Sequence, residues 1–175
     1  MPLASPTPAQ VSPGQFITGA LWNSNVYSGL SFLKDRPIYV GQQQIVQSVA
    51  NTAWAPLTFD TEIVDTYGGH STVTNTSRYT CQVAGLYRVG GRAAFAANAN
   101  GSRGARVHLN GNFIIGGANL LGAGNLAGIA EVNHLVQLAV GDYVEIAGGQ
   151  NSGGALSTLY ANESASMMYV LWEHS

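Results

Sequence analysis

The acidic side chains Asp60, Glu62 and Asp65 form the densest group of chemistry-bearing residues in the sequence. Asp60 and Glu62, two apart, share one face of an extended strand and could offer oxygens to a calcium ion together with loop carbonyls. The spacing is not that of an EF-hand loop, so a solvated strand edge is the stronger reading and no metal site is assigned. His70, His108, His134 and His174 are scattered, with no pair at zinc-ligand spacing. His134 falls on the apolar parity of its strand and reads as a core or interface histidine rather than a pH switch. Cys81 is the single cysteine, which rules out an intrachain disulfide and a cysteine-rich zinc site. It too lies on apolar parity, where a small buried side chain is expected. Only Arg78 stands near to make it electropositive, as a reactive thiol requires. Ser152 has no nucleophile-elbow pattern around it. Residues 116–128 lack the strand, glycine turn and helix of a phosphate cradle. Acid, base and nucleophile converge nowhere, so no enzyme, catalytic residue or cofactor is expected. Tyr67, Tyr160 and Tyr169 are candidates for stacking on sugar rings, although aromatics in a β-rich chain more often fill a core or an interface.

The elements that position these groups are strands. From residue 78 to 95 the odd positions are mostly apolar, among them Tyr79, Cys81, Val83, Tyr87, Val89 and Phe95, while Thr80, Gln82, Arg88 and Arg92 alternate with them. Two half-buried strands follow from that parity, with Gly85 between them where the chain must reverse or change sheets. Trp54, Leu57 and Phe59 begin the clear β region, and residues 38–49 offer one or two short strands. Residues 60–78 read as loop-rich. Val107 and Leu109 point inward from the next strand, with Arg106 and His108 outward. Asn110 and Gly111 then predict a tight hairpin whose turn needs positive φ at both positions. Phe113 to Ile115 is its return strand, and residues 116–128, rich in Gly, Ala and Leu, read as a long loop. Ala130, Val132, Val136, Leu138 and Val140 share an inward face, Gly141 and Asp142 turn the chain, and Val144 and Ile146 point inward after them. Further strands fall near 156–160 and 167–172. Short strands with turn signals between them and no crossover helices specify an antiparallel sandwich or barrel.

Before the strands lies a different kind of segment. Met1 to about Gln15 carries Pro2, Pro6, Pro8 and Pro13 without periodicity, and reads as an extended arm that orders against a partner. It lacks the basic-then-apolar layout of a secretory signal. Thr18 is a helix cap, and Trp22, Val26, Leu30 and Leu33 recur at spacings of four, four and three, the mark of one helical face. Lys34 and Pro37 close this helix, near residues 19–33. With Phe16, these four apolar side chains form a surface too large to leave in water, and they are the candidate docking residues.

Composition narrows the function classes. Charged residues are 9% of the chain, against about 25% on average, and the net charge is −2. Lys34 is the only lysine, so no basic surface exists for nucleic acid. No apolar run is long enough for a membrane span. The length suits one ordinary domain with a short extension, placed here as an arm over 1–50 and a β domain over 51–175.

Tyr79, Thr80, Cys81, Gln82, Val83, Ala84, Gly85, Leu86 and Tyr87 together resemble the aromatic, Thr, Cys, Pro, x, x, Gly, x, Tyr run of complement-type globular heads, relatives of tumour necrosis factor. In the same order, Leu109, Asn110 and Gly111 resemble that family's hairpin. Gly141, Asp142, Tyr143 and Val144 resemble its Gly, Asp, x, Val turn, and Gly154, Ala155 and Leu156 its late Gly, x, Leu. The likeness runs from Trp54 to Trp172. Gln82 stands where the family has proline, Val89 where an aromatic is usual, and no Phe precedes Gly154, so ligand sites of animal members do not transfer. No collagen repeat precedes the domain. The resemblance implies a ten-stranded jelly roll, an all-β antiparallel sandwich of the tumour necrosis factor type, assembled as a tight homotrimer. Phe59, Tyr79, Tyr87, Phe95, Val144 and Trp172 are its expected core or trimer-packing residues. The whole chain, including Trp22, Asn23 and Val26, also resembles structural proteins of tailed phages of actinobacteria. That likeness implies a virion component, a decoration or minor capsid or tail protein, whose arm docks on other virion proteins. The alternative is a tail module that binds host-surface glycan or a receptor, lectin-like.

Overall fold

A computed structural model describes residues 4–7, 10–122, 124–161 and 163–175. The strands run β1 (Ile38–Gln42), β2 (Ser48–Val49), β3 (Trp54–Pro56), β4 (Thr61–Asp65), β5 (Tyr79–Thr80), β6 (Gly85–Phe95) and β7 (Arg103–Leu109). They continue with β8 (Asn112–Leu121), β9 (Gly128–Leu138), β10 (Tyr143–Gln150), β11 (Leu156–Ser157), β12 (Tyr160–Ala161), β13 (Ser164–Ala165) and β14 (Met167–His174). One sheet has the order β4-β1-β14-β6-β9 and the other β3-β10-β7-β8, with β5 also paired to β10. Apart from the β7–β8 hairpin, successive long strands from β6 onward pass from one sheet to the other and back, and every pairing is antiparallel, which is a jelly-roll sandwich.

The core lies between the sheets and is filled from alternate positions of each. Tyr79, Tyr87, Phe95, Val144 and Trp172 are buried from strands and Phe59 from the link between β3 and β4. Each such side chain removes enough apolar surface from water to contribute about 1.5 to 3 kcal/mol. Cys81 is buried, its Sγ 3.1 Å from the Val83 carbonyl, and burial pushes its thiol above the ordinary value.

The run over residues 78–95 divides between the sheets: β5 belongs to one, β6 to the other, and residues 81–84 carry the chain across. Gly85 is required at the landing point, since a Cβ there would sit 2.5 Å from Trp172 Nε1 and 2.6 Å from the His174 carbonyl oxygen. The hairpin at Asn110 and Gly111 has φ of 50° and 79°, as a turn matched to strand twist needs. Three turns meet at this end. Cys81 N donates to Asp142 O at 2.8 Å, Gly141 N to Cys81 O at 3.0 Å, and Asn110 Nδ2 to Asp142 Oδ1 at 2.9 Å. The Asn110 amide, with the Ala139 N–H, holds the Asp142 carboxyl below the usual range.

Four expectations need correction. The sandwich begins at Ile38 rather than near residue 51, because β1 is the strand between β14 and β4 and its Tyr39 is buried in the core. The stretch read as loop-rich over 60–78 holds β4, an edge strand paired only with β1. The hairpin's return strand extends through Leu121, well into the stretch read as loop. Val140 is exposed, because β9 ends at Leu138 and the parity of a strand does not carry into the turn that follows.

Candidate docking surface

Upstream of β1 stands a continuous helix in three pieces: α1 (Gly19–Trp22), a π-helical turn (Asn23–Tyr27) and α2 (Ser28–Lys34). Thr18 caps it, its Oγ1 accepting from Leu21 N at 3.2 Å. Phe32 is the one described helix residue that is buried, and it meets Trp172 edge-on with ring centroids 4.8 Å apart. The side chains singled out for docking stay outside the core. Phe16 is 88% exposed, Trp22, Leu30 and Leu33 are each more than half exposed, and Val26 is half-buried. Ile17 and Tyr27, which the helical spacing did not select, are exposed beside them. The arm folds back as well: residues 4–7 face Gln82, Val83, Ala84, Val140 and Ser175 across a recess of about 460 Å³.

Two further surfaces lie on the sandwich itself, a mixed face that includes Arg88 paired with Glu173 at 2.8 Å and an apolar edge. On the outward side of the five-stranded sheet the register sets Ile38, Leu171, Arg88 and Leu135 in one row and Val40, Tyr169, Gly90 and Asn133 in the next. These side chains are half-buried or exposed apart from Gly90, and the Tyr169 ring lies over that glycine, where a Cβ would come 2.3 Å from its hydroxyl. Beside it Arg92, Glu131, Asn133 and Met167 help wall a depression of about 220 Å³. The second surface is an edge, β8, which pairs only with β7 and exposes Phe113, Ile115 and Leu120, with Leu126 in the loop beyond.

The carboxylates serve separate structural tasks. Asp60 accepts from Gln44 N at 2.9 Å and Ile45 N at 2.7 Å, which ties down the loop after β1. Asp65 accepts from Tyr67 N at 3.1 Å and His70 N at 2.9 Å. Glu62 Oε1 lies 3.1 Å from Nδ1 of the buried His70, whose Nε2 donates to the Thr76 carbonyl at 3.1 Å. Among the described residues no three potential ligands gather around one point. His70 also stacks on Tyr39 at 4.7 Å, and Tyr39 on Tyr79 at 5.5 Å. Burial raises both tyrosine hydroxyls, with nearby carboxylates adding to the effect.

Sequence reasoning placed Arg106 and His108 outward, and they do lie on the outer side of the second sheet, yet His108 is buried. Arg106 Nε donates to His108 Nε2 at 2.8 Å, so the ring hydrogen sits on Nδ1, which is buried without a partner. Burial first, then the Arg106 charge, pull the imidazole below its ordinary value, against an opposing pull from Glu145. Glu145 lies opposite in register and accepts from Ser77 Oγ at 2.7 Å and Arg78 Nε at 3.4 Å. Arg78 covers the Tyr143 ring and Arg106 the Trp54 ring, at 4.0 and 4.3 Å. This strip seals the sheet with paired charges and stacked cations. Of the remaining candidates, His134 is half-buried opposite Val89, Tyr67 is buried and Tyr160 is exposed.

No protein-family model matches the chain, and no curated protein matches it. Solved structures do. The globular domain of zebrafish complement 1qA protein matches with a TM-score of 0.54 at 15% identity, over 80% of this chain and 100% of that one. Murine APRIL matches with a TM-score of 0.58 at 9% identity, over 77% and 98%. Eiger TNF from S. frugiperda matches with a TM-score of 0.56 at 14% identity, over 80% and 96%. The fold is therefore the jelly roll of the complement and tumour necrosis factor domains.

Proposed function

We propose that the chain is a non-enzymatic structural protein of a tailed bacteriophage particle. In this reading it is a homotrimer of jelly rolls standing as a decoration or knob on capsid or tail, held there by its N-terminal arm. The observation that carries the docking role is the arm's uncovered apolar surface. Phe16, Ile17, Trp22, Tyr27, Leu30 and Leu33 are each more than half exposed, while Phe32 is the one described helix residue that is buried. The phage assignment rests on the likeness of the whole chain to such structural proteins and on its low charge.

Trimer formation is supported by two surfaces of different shape on one protomer. A face centred on Val40, Tyr169 and Leu135 and an edge carrying Phe113 and Ile115 suit a head-to-tail contact, which closes into a ring when each step turns by a third of a circle. Host-glycan binding has one specific observation in its favour, the depression where Tyr169 stands beside Arg92, Glu131 and Asn133. That depression lies on the face the trimer would bury, so the two readings compete for it.

Native mass of the full chain and of a chain lacking residues 1–36, with binding of each to arm-deficient particles, tests the proposal. The truncation stops before β1, which the sandwich needs. Trimers in both, with decoration lost on truncation, are expected. A truncated chain that decorates particles as well as the full one would overturn the docking role, and monomers in both would overturn the trimer and favour the glycan reading.

A further inference from the structure

The exposed side chains of the helix follow a more specific pattern than a general apolar face. In sequence, Trp22, Val26, Leu30 and Leu33 are spaced four, four and three. The π turn over Asn23–Tyr27 takes up one extra residue between the first two. In angular phase the spacing becomes three, four, three, which is the seam by which one helix meets another in a coiled coil. Phe32 lies about 120° around the helix from this seam, at roughly 100° per residue, so Trp22, Leu30 and Leu33 stay more than half exposed when Phe32 docks on Trp172. Val26, Leu30 and Leu33 line one wall of an open groove of about 410 Å³, and Ser5, Pro6, Trp172 and Ser175 of the same chain line the rest.

We infer that the occupant of this seam is the same helix of another copy, so that the arm helices of the assembled protein pack together along Trp22, Val26, Leu30 and Leu33. The inference rests on the trimeric reading above. Three observations select a second copy over an unrelated protein. A knobs-into-holes seam is matched by a helix with the same repeat, and each copy brings one. Lys34 is the helix's only charged side chain and stands at its very end, so identical faces meet without like-charge repulsion. Only residues 35–37 separate the helix from Ile38, whose side chain opens the outward sheet face proposed to meet other copies, so the two surfaces run on from one another. Docking on the virion then falls to Phe16, Ile17 and the extended residues before them.

Cross-linking of the full-length chain tests this. Cys81 is buried and stays silent, which makes Leu30→Cys a single reporter on the seam and Ser24→Cys its control on the far side of the helix. Facing helices 8 to 10 Å apart bring seam positions near disulfide reach, about 4.4 to 6.8 Å between Cα atoms. Native mass is read first, then oxidation, then denaturing electrophoresis. Trimeric Leu30→Cys that yields covalent dimers, where Ser24→Cys yields none, is the expected result, and Val26→Cys should repeat it. A trimer in which the seam cysteines link no more than Ser24→Cys overturns the inference while leaving the trimer standing, and leaves the seam to a virion protein. A monomeric mass before oxidation overturns the trimeric reading itself and the inference with it.

Discussion

Replacing Gly85 by alanine strikes the point where the crossing between sheets, the C-terminal strand and the arm all meet. The new Cβ would lie 2.5 Å from Trp172 Nε1 and 2.6 Å from the His174 carbonyl oxygen. The carbonyl is backbone and cannot swing away, so either the end of β14 shifts or the indole moves. Overpacking of this kind costs about 1 to 3 kcal/mol. The indole cannot move without disturbing its edge-on contact with Phe32, whose loss adds about 0.5 to 1.5 kcal/mol. A total of roughly 1.5 to 4.5 kcal/mol lowers Tm by about 3 to 18 °C in a chain of this size. Gly141→Ala is the matched control: its φ is 92° but a Cβ there meets nothing within 4 Å, so only backbone strain of about 1 to 2 kcal/mol applies. Thermal unfolding of both variants and the parent at equal chain concentration reads the difference, since assembly makes Tm depend on concentration. The steric argument is refuted if Gly85→Ala melts no lower than Gly141→Ala. Amide exchange tells the two routes apart: faster exchange in residues 28–34 marks movement of the indole away from Phe32, and faster exchange confined to the end of β14 marks a shift of that strand.

His108 gives a pH dependence with a definite sign. Its folded-state value is depressed, so the unfolded chain binds the proton more readily, and stability present above the unfolded value of about 6.5 is lost as pH falls through it toward the folded value. His108→Gln should flatten that acid limb in urea midpoints measured from pH 7 to 4, and an unchanged slope would show that the ring is not buried as described. Asp60→Ala removes the acceptor for Gln44 N and Ile45 N and should cost about 1.5 to 3 kcal/mol, with fast exchange of those two amides. A chelator should leave the parent's melting unchanged, and a fall in Tm would bring calcium back to Asp60, Glu62 and Asp65.

Strands were legible in the sequence wherever both sides of a sheet were chemically distinct. The alternation around Tyr79, Tyr87 and Val89, the hairpin at Asn110 and Gly111, and the inward set from Ala130 to Leu138 all appear as their residue types dictate. β4 was illegible because it is an edge: its Ile63 is exposed, so apolar and polar residues do not sort by side. The end of β8 was hidden by Gly116 and Gly117, since Gly116 takes φ of 80° where the register with β7 shifts. In the helix, periodicity found an apolar stripe but could not say which stripe turns inward. Phe32 anchors the helix because Trp172, far away in sequence, offers a ring to meet it. The π turn that aligns Trp22 with Leu30 has no sequence mark at all.

The candidate sites were harder to read for a related reason. The motifs that carry the likeness to complement-type heads close one end of the sandwich: Cys81 bonds to Asp142 and Gly141, and Asn110 to Asp142 and Tyr143. The same holds within the first motif, where the Tyr87 hydroxyl donates to the Val83 carbonyl at 2.5 Å. These bonds would be needed whatever the outer surfaces touch, so the motifs report fold and are silent on partner. Partner choice resides in side chains with no internal duty. Phe16 and Ile115 face solvent at 88% exposure each, and Leu126, in the loop after β8, is exposed as well. Nothing in such a residue's own neighbourhood distinguishes it from a loop leucine until the fold has placed several together. The surface that decides function is therefore a product of topology, while the part of the sequence that can be matched is the part that makes the topology.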